Sequence, residues 1–97
     1  MVNDVTHVYT EQHEIDALNA WIKHLPNEAR VQVTLDDGRH VLGIVAVQPT
    51  LQLFRDQQGQ EGSNGLLRLD DLEAPEQRHL IWLDSIREVR PLPPVQP

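Results

Sequence analysis

From Val31 onward, apolar and polar residues alternate in the run VQVTLDDGRHVLGIVAVQPTLQLF, residues 31–54. Val31, Val33 and Leu35 fall on one side of an extended segment, the period of a strand with one buried face. Asp36-Asp37-Gly38 follows, and its glycine supplies the positive φ that a tight hairpin needs. A second strand is predicted through Val41, Ile44, Val45 and Val47, interrupted by Gly43. A glycine inside a strand marks a sharp bend or a close backbone approach, as at a barrel corner. Pro49 ends that strand because proline cannot donate to a ladder. Leu51, Leu53 and Arg55 open a third. The pattern predicts a strongly bent three-strand meander from a small barrel.

Upstream the period changes. Ile15, Leu18, Trp21, Ile22 and Leu25 recur at three- and four-residue steps, one apolar face of an amphipathic helix. Thr10 is the expected N-cap, Glu11 and Glu14 suit the first turn, and Pro26-Asn27 stops the helix. It is expected over about residues 10–25, behind a loose segment 1–9, as a lid on the barrel's open end. Downstream, residues 56–65 (DQQGQEGSNG) read as a polar loop. Residues 66–73 alternate weakly and could extend a hairpin across it, and APEQ is a turn. The block 79–90 divides at Asp84-Ser85 into two short strands. PLPPVQP ends the chain as an extended segment with no core to join. One domain is expected over residues 1–90, with its barrel over about 29–90 and a proline-rich tail over 91–97.

Charge narrows the function. Fifteen acidic residues against eight basic ones give a formal charge of −7. A nucleic-acid binder draws much of its affinity from a positive surface, so this balance opposes a generic DNA or RNA binder. With one Phe, one Tyr and two Trp, aliphatic residues must fill the core. A chain of 97 residues has room for one modest core and not for a deep catalytic cleft. There is no cysteine, hence no disulfide and no thiolate metal site. MVNDVTHVYT lacks the features of a signal peptide, and the longest apolar run, Gly43 to Val47, is too short to span a membrane. The expectation is a soluble cytoplasmic protein, oligomeric as small barrels often are, with no membrane partner.

Little in the chain nominates chemistry. Histidines 7, 13, 24, 40 and 79 do not pair at metal-ligand spacing; His13-Glu14 opens like a zinc-protease helix, but Ala17 stands where the second histidine belongs. Asp70, Asp71 and Glu73 read as a solvated loop face. No nucleophile elbow or phosphate-cradling glycine loop is present. No catalytic residue, metal or cofactor is assigned, and the chain is not read as an enzyme. Trp82 is expected in the core or at a subunit contact, with a base-stacking platform as the alternative. Arg90-Pro91-Leu92-Pro93-Pro94 has the form of an SH3-ligand core, although a disordered tail is the simpler reading.

Two motifs in order carry a resemblance. Val31, Val33, Leu35, Asp37, Gly38, Gly43 and Val45 match the first motif of the Sm-like superfamily; Ile81, Trp82, Ser85, Ile86 and Val89 match the second, with Pro91 where a tail commonly begins. With a helix in front, the chain resembles the bacterial Hfq-type RNA chaperones, and also a small uncharacterised bacterial family with an Sm-like barrel. The resemblance implies a mainly β fold with an N-terminal α-helix: a small, five-stranded, strongly bent Sm-like (SH3-like) barrel. Its RNA chemistry is mostly missing. Gln48-Pro49-Thr50-Leu51-Gln52 lacks the expected acidic residue, Leu83 and Asp84 replace a lysine and a histidine, and the helix carries Lys23 and acids in place of an arginine rim. The expected role is therefore a non-catalytic module acting through oligomerisation or protein contact, with Leu80, Ile81, Trp82, Ile86 and Val89 on the exposed strand edges. The alternative is an Hfq-like protein with a weakened RNA site made by Gln52, Trp82, Arg39 and Arg55.

Overall fold

The computed structural model describes Val5 and residues 7–93. Helix α1 spans Gln12–Lys23. It starts at Glu11, not Thr10: Glu11 keeps an extended backbone and its carbonyl accepts the Glu14 and Ile15 N–H groups. The chain cannot turn helical earlier, because Tyr9 exchanges backbone hydrogen bonds with Ser63 at 2.9 and 2.8 Å. Glu14 in the first turn and Lys23 in the last both suit the helix dipole. Leu18 and Leu25 are buried in the barrel core, flanked by Trp21 and Ile22.

Seven strands follow: β1 (Arg30–Leu35), β2 (His40–Val45), β3 (Gln52–Arg55), β4 (Glu61–Asn64), β5 (Leu66–Asp71), β6 (Arg78–Trp82) and β7 (Ile86–Pro91). A single 3-10 turn, Leu83–Ser85, joins β6 to β7. The main sheet has the order β6-β5-β2-β1-β7, and β3 pairs with β4 separately. The β1–β2 hairpin forms as expected. Gly38 takes φ 91° and donates to Leu35 O, while Asp37 Oδ1 accepts the Arg39 N–H.

The expected meander is only partly present. The third strand, β3, does not lie against β2; β5 does, with Gly43 opposite Asp71 and Val45 opposite Leu69. β3 pairs instead with β4, from Gln52–Asn64 to Arg55–Glu61. These pairings describe one long hairpin, His40 to Asp71, folded over at a corner. Its outer arm uses residues 46–51 to round the corner, its inner arm only Gly65. A Cβ on Gly65 would stand 2.5 Å from Leu83 Cδ1 and 3.0 Å from Thr50 O, so only glycine fits the inside of the bend. The tip is held by Asp56, whose Oδ1 accepts the Gln58 and Gln60 N–H groups.

The stretch read as a polar loop therefore contains a strand. Within β4, Gly62 and Asn64 are buried, Gly62 because Val8 and Tyr9 lie across it. Both polar atoms of the Asn64 side chain have a partner there: Nδ2 donates to His7 O at 3.0 Å and Oδ1 accepts the Gly65 N–H at 2.8 Å. Of the segment expected to be loose, the described residues are docked: Val5 is 2 % exposed and Tyr9 is bridged to Ser63. At the other end β7 runs through Pro91, and Leu92 N donates to Arg30 O. The first residues of the expected tail are thus paired, whereas residues 94–97, including the end of the SH3-ligand-like stretch, lie outside the described residues.

Strand register assigns the faces. Val31, Val33, Leu35, Val45, Leu67, Leu69 and Ile81 point inward and form the core with Leu83 and Ile86. Gly43 stands in this inner row because a Cβ there would lie 2.6 Å from Asp70 O. The Gly43→Ala variant must push β2 from β5 and is expected to lose about 1–3 kcal/mol, the usual cost of overpacking. Urea unfolding measures it, and an unchanged midpoint would contradict the close approach.

Candidate interaction site

Trp82 ends β6, and its ring forms a T-shaped pair with Phe54 from β3, with centroids 5.1 Å apart and planes at 86°. One part of its half-exposed surface borders a hollow with His7, Asp36, Asp84 and Ser85. Another borders a groove of about 410 Å3 lined by Leu35, Arg39, Val41, Ser85 and all five residues of β6. A hollow on one face of a strand would touch alternate residues. Contact with five in a row means that the groove runs along the strand's edge.

That edge is unpaired. β6 bonds to β5 on one side and to no described strand on the other; β7 likewise bonds only to β1. Each therefore presents a row of backbone N–H and C=O groups without strand partners. Leu80, in the middle of β6, is 60 % exposed. Ile81 and Ile86 are buried and Val89 half-buried, so of the five expected edge residues Leu80 and Trp82 offer the most side-chain surface.

Two of the four candidate contact residues share the groove, Arg39 and Trp82. Gln52 and Arg55 do not line it. They sit exposed on β3, Gln52 on the same face as Phe54 and Arg55 on the opposite one. Arg39 is held by Asp37, whose Oδ2 lies 2.7 Å from Nε. The Arg39 backbone N–H, then its guanidinium, hold the Asp37 carboxyl below its usual range. Arg78, not singled out from the sequence, also lines the groove and makes no ion pair with a described residue.

The positions where the chain leaves the Hfq pattern have structural work. Leu83 is fully buried. Asp84 accepts the Tyr9 hydroxyl at 3.0 Å. Burial first, then this hydrogen bond and the Asp84 charge, push the Tyr9 phenol up to about 12. Gln48 ties helix to barrel: its N–H reaches Asn27 Oδ1, and its Nε2 donates to Ile22 O at 3.0 Å.

The acidic run is likewise not a solvated loop face. Asp71 points inward at the end of β5, where Oδ1 pairs with His79 Nε2 at 2.8 Å. Its Oδ2 accepts the Glu73 and Ala74 N–H groups and shapes the turn into β6. The His79 hydrogen bond, followed by the Ala74 N–H, holds the Asp71 carboxyl below its ordinary range. Asp70 faces outward, paired with Arg68 at 3.2 Å. No signal in the sequence joins Asp71 to His79, because the β5–β6 register brings them together. Among the described residues no group of three or more His, Asp or Glu is placed to hold a metal ion.

A family model for a domain of unknown function, DUF3247, matches residues 3–92. The chain belongs to the DUF3247 family. A crystal structure of XC5848 from Xanthomonas campestris, described as adopting a novel variant of the Sm-like motif, superposes on it with a TM-score of 0.86. The two chains are 48 % identical, and the match covers 96 % of this chain and 100 % of the other. No curated protein matches the chain. This DUF3247 chain thus has an Sm-like fold, mainly β with one N-terminal helix, and its long corner-bent hairpin is that fold's strongly bent strand pair. No helix of the described residues is long and apolar enough to cross a membrane.

Two titrations test the contacts of this DUF3247 domain. Tyr9 is the chain's one tyrosine, so phenolate absorbance reports it alone. Its midpoint is expected near 12 against the ordinary 10.0, and Asp84→Ala should lower it partway, since burial remains. Because the folded value is raised, the stabilisation is complete below pH 10 and is lost as pH climbs towards 12. A midpoint near 10 in folded protein would mean that Tyr9 is not docked. Asp71 has the opposite sign: its contribution is present above the unfolded carboxylate value of about 4 and fades as pH falls through its lower folded value. Thermal melts should show Asp71→Asn less stable at about pH 5, with the margin closing below about pH 4. A margin that persists unchanged in acid would reject the assignment.

Proposed function

We propose that this chain is a non-catalytic Sm-like module that works through strand-edge pairing, first of all with a second copy of itself. The observation that carries the reading is the main sheet with an unpaired edge strand at each end, β6 and β7. Pairing those edges is the simplest way to satisfy their backbone groups. Charge favours β7 as the self-pairing edge. Glu88 and Arg90 point to the same outer face, opposite Thr34 and Gln32 across β1, and their side chains already lie 3.6 Å apart. A twofold antiparallel pairing centred on Val89 would set each Glu88 against Arg90 of the other copy, with the two Val89 side chains facing. That is the self-complementarity that an isologous dimer requires.

The RNA reading keeps one supporting observation, the shared groove of Arg39 and Trp82. Against it stand the net charge of −7, Asp36 and Asp84 on the other side of Trp82, and the placement of Gln52 and Arg55 outside the groove.

Light scattering on a size-exclusion column is expected to give a mass above the monomer. Glu88→Arg sets like charges across the interface and should weaken the dimer several-fold; Glu88→Arg with Arg90→Glu should restore it. A wild-type monomer at high concentration, or a Glu88→Arg protein that assembles as before, would reject the β7 dimer.

A further inference from the structure

The groove along β6 differs from the β7 edge in its charge. Its lining contains Arg39 and Arg78 and no carboxylate, in a chain with 15 acidic residues; Asp37 pairs with Arg39, and the His79 ring in the lining is bound to Asp71. It is also two-faced. On the inner side stand Leu35, Val41 and Ile81; on the outer side Arg78 and Leu80 alternate along β6, with Trp82 at its end. Asp37 engages Arg39 through Nε, so the terminal guanidinium nitrogens are free of described partners. Asp71 and the turn it shapes fix where β6 begins.

We propose that this groove takes an extended acidic segment of another protein, which adds to β6 as a further strand of the sheet. The proposal rests on the edge-pairing reading and assigns the second edge a different partner from the first. Main-chain hydrogen bonds to β6 would supply sequence-independent affinity, and alternate side chains would supply selection. A strand laid against β6 points every other side chain inward, where Leu35, Val41 and Ile81 favour apolar residues. The side chains between them point outward, where Arg78 favours a carboxylate and Arg39 offers a second contact at the groove's rim. A second copy's β7 fits less well, because Arg87 and Arg90 outnumber Glu88 and would meet cations. A single strand of RNA supplies negative charge but no backbone N–H and C=O groups to match those of an edge strand, and the Trp82 ring is already engaged in a T-shaped pair with Phe54.

The test uses the full chain and a fluorescein-labelled octapeptide of alternating glutamate and valine. Three probes accompany it: the lysine–valine peptide, the glutamate–valine peptide with alternate backbone nitrogens methylated, and a uridine-rich oligonucleotide. Anisotropy at low salt should show binding of the first peptide only. Arg39→Glu with Arg78→Glu should weaken it at least about tenfold while the fold, followed by circular dichroism, is kept. Arg78→Gln gives a milder check, expected to weaken binding a few-fold. Glu88→Arg should leave peptide binding unchanged even where it disrupts the dimer, so the two edges fail separately. Absence of binding, equal binding of the lysine or methylated peptide, or preferential binding of the oligonucleotide would each overturn the proposal.

Discussion

At Gly43 the backbone of Asp70 comes so near that a methyl group has no room, and this contact governs the architecture. Bringing β5 against β2 there forces the intervening chain to leave the sheet, double back as β3 and β4, and return through Gly65. The corner then needs a plug and a cover. Leu83, fully buried against Gly65, is the plug, and helix α1 with Leu18 and Leu25 is the cover. Gln48 ties the cover to the corner through Ile22 O and Asn27. Once the hairpin is folded over in this way, β6 and β7 are left at the two ends of one sheet, each with one side unpaired among the described residues.

In this arrangement the motif positions and the positions that differ from the Hfq-type pattern have separate structural roles. The motif positions Val31, Val33, Leu35, Gly38 and Gly43 serve the bend and the core. Positions 83 and 84 have other duties. Leu83 fills space, and Asp84 accepts the Tyr9 hydroxyl. A histidine at position 84 would leave that hydroxyl without its carboxylate, and a lysine at position 83 would place a charge in the driest part of the barrel.

The helix, β1, β2 and the last two strands could be read from the chain because each announces itself by apolar periodicity. β4 could not: its buried positions are Gly62 and Asn64, which reach the interior by being small or by being hydrogen-bonded at both polar atoms. Pairing partners were equally hidden. The residues 52–55 form a strand, as expected, but the alternation of a strand says nothing about which neighbour it takes. The same limit applied to the site. Arg39 and Trp82 were named as candidates from the sequence, whereas Arg78 and the Asp71–His79 pair needed the β5–β6 register before they had any meaning.

The docking of residues 7–9 has a consequence for how the chain comes together in time. Tyr9 meets its partner Asp84 across 75 residues, and its backbone partner Ser63 lies beyond the whole β1–β3 region. During synthesis residues 7–9 have nothing to dock on until the late strands are made. Contacts so distant along the chain pay their loop-closure entropy in full and form slowly. Residues 7–9 thus act as a latch that closes only over a completed barrel, since they are what covers Gly62 and pairs with Asn64.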